Sequence, residues 1–247
     1  MGELIAVLSG KGGTGKTSVC AGLSWALALQ GKRVLCIDCD IGLQNLDIAL
    51  GFEHAGGLSF LDVWSGAYSL EQAARHPENA NLAFLTAPMT CSAAEVDPEA
   101  FCRMLQQARV SFDYIFMDAP AGVEAGFALT ARYADRILLV TGSDPASIRD
   151  ACRSGQLLEA MGKTNVRLIV NRITRKLGSR LHLTIDDIMD TVGLPLIGLI
   201  PEDTNVLLAA AKGKALLQYT KKGAAAACHR IAGRLQGMPR KIPVRKF

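Results

Sequence analysis

Short runs of consecutive apolar residues alternate along this chain with longer stretches in which apolar residues recur every three to four positions. Continuous apolar runs are typical of strands buried on both faces of a parallel sheet, and the longer repeats are typical of amphipathic helices. Strands are predicted at Leu4–Leu8, Val34–Ile37, Leu82–Leu85, Tyr114–Met117, Ile137–Val140, Val166–Val170 and Leu196–Ile200. Helices are predicted at Lys16–Gln30, Pro98–Arg109, Gly122–Arg132, Pro145–Met161, Leu183–Thr191, Thr204–Ala211 and Lys221–Gln236. The alternation predicts an α/β fold with a doubly wound, mostly parallel sheet and helices on both faces.

The composition excludes several classes of protein. Of 247 residues, 49% are hydrophobic and 20% are charged, which excludes disordered, collagen-like and coiled-coil chains. No apolar run approaches the roughly 18 residues of a membrane-spanning helix, and the first residues lack the basic region of a secretory signal. We therefore expect a cytoplasmic protein with a single domain over residues 1–236 and a basic tail over residues 237–247.

The net charge of +4 hides an uneven distribution. From Thr204 to Phe247 the chain has no Asp or Glu but ten Lys or Arg side chains, so residues 1–203 carry an excess of acidic groups. A basic segment of this kind favours binding to an anionic surface, either a membrane or a nucleic acid.

A glycine-rich segment follows the first predicted strand and leads into the first predicted helix. Gly10, Gly15, Lys16 and Thr17 satisfy the pattern G-x-x-x-x-G-K-[ST] of a phosphate-binding loop. Glycine lets the backbone turn its N–H groups toward phosphate oxygens, and the helix N-terminus favours an anion. We expect Lys16 to reach the β- and γ-phosphates of a nucleotide and the Thr17 hydroxyl to bind Mg²⁺.

The same segment also fits the dinucleotide pattern G-x-G-x-x-G through Gly10, Gly12 and Gly15. The lysine and threonine that follow the last glycine favour a nucleoside triphosphate instead. A second acidic strand end, Asp118, points the same way, because a carboxylate there can hold Mg²⁺ through water. Cys36 and Cys39 form a C-x-x-C pair, which we interpret as incidental thiols rather than a redox or zinc site.

The segment Lys11–Thr17 resembles the deviant Walker A motif of the ParA/MinD ATPase family, which carries an extra lysine at the position of Lys11. Asp38–Asp47 and Asp118–Glu124 resemble the two switch segments of the family, in the form found in its MinD branch. The resemblance continues through Asn171–Arg172 and Pro201–Asp203 and covers about residues 2–220.

The resemblance implies roles for individual residues. Lys11 would reach the nucleotide of the partner in an ATP-bound homodimer, and Asp40 would orient or activate the attacking water. Asp38 would lie near the Mg²⁺ that Thr17 and Asp118 bind. The remaining implied contacts to ATP are those of Gly12, Gly13, Thr14, Gly15, Lys16, Thr17 and Ser18 with the phosphates, and those of Asn171, Arg172, Pro201 and Asp203 with the adenine end.

The resemblance also implies a function. Such a protein would be a Mg-ATP-dependent, dimerising ATPase that positions the cell-division septum, recruits a division inhibitor and is stimulated by a partner protein. It would associate peripherally with the inner face of the cell membrane. A related positioning ATPase for flagella, chromosomes or another cargo is the alternative. An iron–sulfur carrier is disfavoured, because Cys228 stands alone near the last predicted helices.

The tail departs from the family pattern. MinD-branch proteins end in an amphipathic membrane helix, whereas Gly237, Pro239 and Pro243 interrupt any helix here. The apolar face of the preceding helix is predicted to dock on the domain; its residues are Cys228, Ile231, Ala232 and Leu235. The tail itself interleaves basic and apolar residues, which favours an anionic membrane, with DNA as the less favoured partner.

Overall fold

The computed structural model describes residues 1–41, 44–52, 57–88, 96–174 and 184–243. The strands are β1 (Glu3–Leu8), β2 (Val34–Asp38), β3 (Ala74–His76), β4 (Asn79–Leu85), β5 (Tyr114–Asp118), β6 (Arg136–Thr141), β7 (Val166–Ile173) and β8 (Leu196–Pro201). The helices are α1 (Lys16–Ala28), α2 (Leu46–Leu50), α3 (Phe60–Trp64), α4 (Pro98–Ser111), α5 (Ala125–Tyr133), α6 (Pro145–Ala160), α7 (Ile185–Val192), α8 (Asn205–Ala210), α9 (Leu216–Tyr219) and α10 (Gly223–Leu235).

In the described part of the chain, one sheet has the strand order β3-β4-β2-β5-β1-β6-β7-β8. Its neighbouring strands are parallel except for β3 and β4 at one edge. The central strand β1 lies between β5 and β6, so the loops after these three strands emerge side by side. Ligands bind at such a reversal of strand order in open α/β sheets.

The core lies on both faces of the sheet, because alternate side chains of a strand point in opposite directions. In β1, Leu4, Ala6 and Leu8 belong to one buried cluster, and Ile5 and Val7 belong to the other. The first cluster is covered by α3, α4, α5, α6 and α7. The second is covered by α1, α2, α9 and α10. The predicted doubly wound α/β fold is therefore confirmed.

Several element boundaries differ from the sequence prediction. The helix predicted from Gly122 begins at Ala125, because Gly122 has a left-handed φ of 96° that a right-handed helix does not accommodate. The hydrophobic pattern does not reveal α2, α3, α9 and β3, which are too short to show a full period. The first residue of the helix predicted from Leu183 lies outside the described residues.

The last helix packs against the domain, as predicted from its apolar face. Cys228, Ile231, Ala232 and Leu235 are buried on the α1 side of the sheet. Beyond α10, residues 237–243 follow the domain surface, and the Arg234 guanidinium donates to the carbonyl oxygens of Arg240 and Lys241 at 3.1 and 3.4 Å. Residues 244–247 of the predicted tail lie outside the described residues. Among the described residues, no helix combines the length and apolarity that crossing a bilayer requires.

Candidate nucleotide site

The residues singled out in the sequence meet at one edge of the sheet. The glycine loop follows β1, Asp38 ends β2, and Asp118 ends β5. Asn171 and Arg172 lie near the end of β7, and Pro201 ends β8. These positions converge because parallel strands present their carboxyl ends at a common edge.

The loop after β1 has the backbone conformation of an anion-binding turn. Gly13 and Gly15 have left-handed φ angles of 81° and 82°, and α1 begins directly afterwards at Lys16. A side chain at position 15 would also collide with the Asn171 amide nitrogen. Gly15 has no side chain that could cap the first N–H groups of α1. These groups therefore face the loop, which suits a phosphate group.

A buried polar group inside the loop fits a phosphate ligand. Thr14 is 5% exposed, and its hydroxyl has no hydrogen-bond partner among the described residues. Buried hydroxyl groups normally have a partner, so an unpaired one marks a place where a ligand or water completes the structure. The loop is consistent with a bound phosphate next to Thr14.

Lys16 is buried against the acidic end of β5. Its Nζ lies 2.6 Å from Asp118 Oδ1, and the two side chains are 6% and 1% exposed. Burial raises the pKa of Asp118, and the charge and hydrogen bond of Lys16 oppose that rise. The Thr17 hydroxyl is also hydrogen-bonded to Asp118. The structure thus joins the predicted phosphate lysine to two predicted Mg²⁺ ligands.

Asp38 lies beside Asp118, because their strands pair in register. Its two carboxylate oxygens accept from the backbone N–H of Asp40 at 2.9 Å and of Leu46 at 3.3 Å. Burial and the charge of Asp118 raise the pKa of Asp38 to about 7. Carboxylate and hydroxyl oxygens are the ligands that Mg²⁺ prefers, so Thr17, Asp38 and Asp118 fit this ion. Gly42 and Leu43 of the first switch lie outside the described residues.

Lys11 takes a different direction from Lys16. Its Nζ lies 3.2 Å from Asp144 Oδ1, and the two side chains are 35% and 48% exposed. Asp144 also caps α6 by accepting from the Ser147 backbone N–H and hydroxyl. Burial acts to raise the pKa of Asp144, but the Ser147 hydrogen bonds and Lys11 outweigh it and hold that pKa at about 2. Lys11 therefore sits at the rim of the site in a partly solvated ion pair.

A cavity of about 180 Å³ opens beside the loop. Six of the predicted ATP-binding residues line it: Gly15, Ser18, Asn171, Arg172, Pro201 and Asp203. Apolar side chains form much of the rest of the wall, among them Val19, Ile200, Val206, Leu207 and Leu216, and Glu202 also lines it. An apolar cavity with a few polar groups suits a flat base such as adenine.

The structure adds residues whose roles the sequence did not predict. Asp144 and Glu202 pair with Lys11 and Arg172, and both lie in segments of the family resemblance that implied no role for either carboxylate. The Asp203 carboxylate accepts from the Asn205 backbone and side chain and from the Ala224 backbone N–H, so it anchors the start of α10. Cys36 and Cys39 are buried, and burial raises the pKa of Cys36 to about 12.

The fold and the loop together define the class of P-loop nucleotide-binding proteins. The family model described as the CobQ/CobB/MinD/ParA nucleotide-binding domain matches residues 5–217. The septum site-determining protein MinD of Synechocystis sp. is 36% identical over 240 residues, which cover 96% of this chain and 90% of that protein.

Solved structures agree with this match. The chain superposes on the MinC:MinD cell division complex of Aquifex aeolicus with a TM-score of 0.88 and 37% identity, and the match covers 98% of each chain. It superposes on MinD complexed with Mg-ADP from Pyrococcus horikoshii OT3 with a TM-score of 0.82 and 28% identity, covering 95% and 96%. The chain belongs to the CobQ/CobB/MinD/ParA family and is an ATPase of its MinD branch.

Proposed function

We propose that this ATPase positions the cell-division septum: it dimerises when it holds Mg-ATP, binds the membrane and recruits a division inhibitor. The names of its relatives, septum site-determining proteins, support the role in division. The position of Lys11 is the observation that supports the proposed dimer. Its ammonium group lies at the rim of the site, paired with a half-exposed carboxylate rather than with the loop.

Within one protomer, Lys16 would neutralise the β- and γ-phosphates, and the loop amides from Gly12 to Ser18 would hold them. With Lys16 paired to a phosphate, Asp118 would hold Mg²⁺ together with Thr17 and Asp38. Mg²⁺ would supply charge neutralisation at the phosphates. Asn171, Arg172, Pro201 and Asp203 would contact the adenine end.

Two further residues would act at the reacting phosphate. Asp40 follows Asp38 by two residues, and we assign it the orientation or activation of the attacking water. Lys11 would leave Asp144 and contact the nucleotide of the partner protomer. A cation supplied across an interface makes hydrolysis depend on dimerisation, because the transition state needs its charge.

Dimerisation is tested by measuring the molar mass in solution with Mg-ADP and with Mg-ATP. The Asp40→Ala variant should bind Mg-ATP, fail to hydrolyse it and accumulate as a dimer. The double variant Lys11→Ala/Asp40→Ala should bind Mg-ATP and remain a monomer. A monomeric Asp40→Ala protein with bound Mg-ATP would refute the proposal.

Membrane binding would depend on the basic tail rather than on the apolar face of α10, since that face is buried. Within the described residues, Met238, Arg240 and Lys241 are exposed at the start of the tail. Each basic residue contributes about 1 kcal/mol near an anionic bilayer, so two tails in one dimer would bind more firmly than one. The protein would then associate peripherally with the inner face of the membrane only while ATP is bound.

Sedimentation with vesicles containing anionic lipid tests this step. The ATP-bound Asp40→Ala protein should sediment, and deletion of residues 237–247 should abolish sedimentation. Sedimentation of the deleted protein would contradict the role of the tail. Steeply salt-dependent binding to DNA without vesicle binding would instead favour a chromosome-positioning ATPase.

Recruitment of the inhibitor would use an apolar surface beside the nucleotide. Ile48 and Leu207 are 50% and 75% exposed, and both line a groove between α1, α2 and α8. Leu207 also lines the nucleotide cavity, so occupancy of that cavity can alter the groove. The MinC:MinD complex of Aquifex aeolicus supports an inhibitor of the MinC kind as the partner.

Binding of a purified MinC-type inhibitor to the ATP-bound protein tests this surface. Ile48→Glu should abolish binding, because Ile48 lines the groove but not the nucleotide cavity. Val110→Glu is the matched control, since Val110 is 71% exposed on α4. An equal loss of inhibitor binding in both variants would argue against the groove as the binding surface. Stimulation of ATP hydrolysis by a second, activating partner is expected to depend on the same dimer.

A further inference from the structure

Two side chains at the end of β7 hold consecutive carbonyl groups of the phosphate loop. Asn171 Nδ2 donates to the carbonyl oxygen of Thr14 at 2.8 Å, and Arg172 Nη1 donates to that of Gly13 at 3.1 Å. Asn171 is 6% exposed, and its amide fills the space that a side chain at Gly15 would need. These hydrogen bonds therefore hold the loop through its carbonyl groups.

Holding these carbonyl groups also orients the amide groups of the loop. In a planar trans peptide, the C=O and N–H bonds of one unit point in opposite directions. The carbonyl of Gly13 shares its unit with the Thr14 N–H, and the carbonyl of Thr14 shares its unit with the Gly15 N–H. Both N–H groups thus point away from β7, and neither donates to an acceptor among the described residues.

The position of Arg172 is itself maintained by its neighbours. Its φ of 58° is left-handed, a conformation that residues with a side chain seldom adopt. Its guanidinium group pairs with Glu202, with Nε 2.8 Å from Oε2 and Nη2 3.5 Å from Oε1. A forked pair of this kind fixes the plane of the guanidinium as well as its charge. Glu202 directly follows β8 and so connects the adenine end to the loop.

We propose that Arg172 and Glu202 are positioning residues that hold the amide groups of Thr14 and Gly15 ready for the phosphates. This inference rests on the proposed nucleotide site and assigns Glu202 a part in it. Arg172 acts through the backbone of the loop, and Glu202 acts through Arg172. Removal of either charge should weaken the binding of phosphate groups even when no base is attached to them.

The test is the affinity of the whole protein for Mg-ADP, Mg-GDP and inorganic tripolyphosphate, measured by calorimetry. Glu202→Gln removes the charge from a side chain that is 41% exposed, so the fold should be retained. We expect about fivefold weaker binding of all three ligands, because a solvent-exposed ion pair contributes only a small stabilisation. Glu202→Asp should restore part of the loss. Arg172→Gln should weaken binding as much as Arg172→Gln/Glu202→Gln, because Glu202 acts only through Arg172.

Asp113→Asn is the matched control. It removes the charge of a carboxylate that forms a forked pair with Arg33 at the opposite end of the strands. The distance between the paired atoms is 2.8 Å, and the two side chains are about as exposed as those of Arg172 and Glu202. It should leave all three affinities unchanged. Unchanged affinities in Glu202→Gln would overturn the inference, as would a loss confined to Mg-ADP, which would show that Glu202 contacts the base. Failure of the unsubstituted protein to bind Mg-ADP would instead refute the nucleotide site itself.

Discussion

One loop carries two lysine–aspartate pairs with very different surroundings. Lys16 and Asp118 are 2.6 Å apart and almost completely buried, whereas Lys11 and Asp144 are 3.2 Å apart and between one third and one half exposed. The chemical groups are the same, but the lysine of the second pair is about six times as exposed as that of the first, and the aspartate is nearly fifty times as exposed.

This difference decides which lysine is free to change its partner. Ions buried together have lost their hydration, so separating them leaves an uncompensated charge unless another charge takes its place. A phosphate group is such a replacement for Asp118. A pair at the surface is stabilised by about 1 kcal/mol or less, because water solvates each ion after separation. We therefore expect Lys16 to stay within its own site and Lys11 to turn outward at little cost.

The largest expected effect comes from removing one member of the buried pair. Lys16→Met leaves Asp118 buried without its cation, and we expect a loss of about 3–5 kcal/mol in the free energy of unfolding at pH 8. It should also abolish Mg-ATP binding. Urea unfolding of the nucleotide-free protein measures the first effect, and calorimetry measures the second.

The double variant Lys16→Met/Asp118→Asn separates the charge effect from a packing effect. Because it removes both charges, most of the lost stability should return, while nucleotide binding stays abolished. If the double variant is as unstable as Lys16→Met, the loss comes from packing and the comparison between the two pairs is weakened.

An intermediate effect is expected from Asp38, which shares the buried environment of Asp118. Its pKa is raised to about 7, from roughly 4 in an unfolded chain. Between these values the folded protein binds more protons than the unfolded one, so the stability contributed by this group falls as the pH rises. The slope for a single group is at most about 1.4 kcal/mol per pH unit.

Asp38→Asn removes this titration. As the pH rises from 4 to 7, we expect the variant to become more stable relative to the parent in its free energy of unfolding. Above pH 7 this relative gain should level off. A difference that stays constant over this range would show that Asp38 does not hold its proton in the folded protein.

The smallest effect is expected at the exposed pair. Asp144→Asn keeps a good N-terminal cap for α6, because asparagine caps helices about as well as aspartate, but it removes the charge that faces Lys11. We expect a change of about 0.5 kcal/mol or less in stability, and the same stability as the parent at high salt. By freeing Lys11, the variant should dimerise at lower concentrations of Mg-ATP, which light scattering would measure. A loss of several kcal/mol in the free energy of unfolding would show that this pair contributes as much as the buried pair, which would contradict the comparison.

Much of the fold and of the site was predictable, since each part leaves a local pattern. Apolar runs such as Tyr114–Met117 and the glycines before Lys16 can be identified without knowing their neighbours. The ends of the strands then predict which residues meet, because parallel strands end at one edge. The helices α2, α3 and α9 were missed, since four or five residues do not complete a recognisable period.

The sequence by itself determined the class of fold, the phosphate loop and the acidic strand ends, because glycine, lysine and aspartate have local requirements that appear in their spacing. Only the tertiary structure decided which aspartate each lysine contacts. It also decided that Arg172 faces Gly13 and Glu202, and that the apolar face of the last helix is buried in the domain. Charge pairs form between residues that are distant in sequence, and burial sets their strength; both properties arise only when the chain has folded.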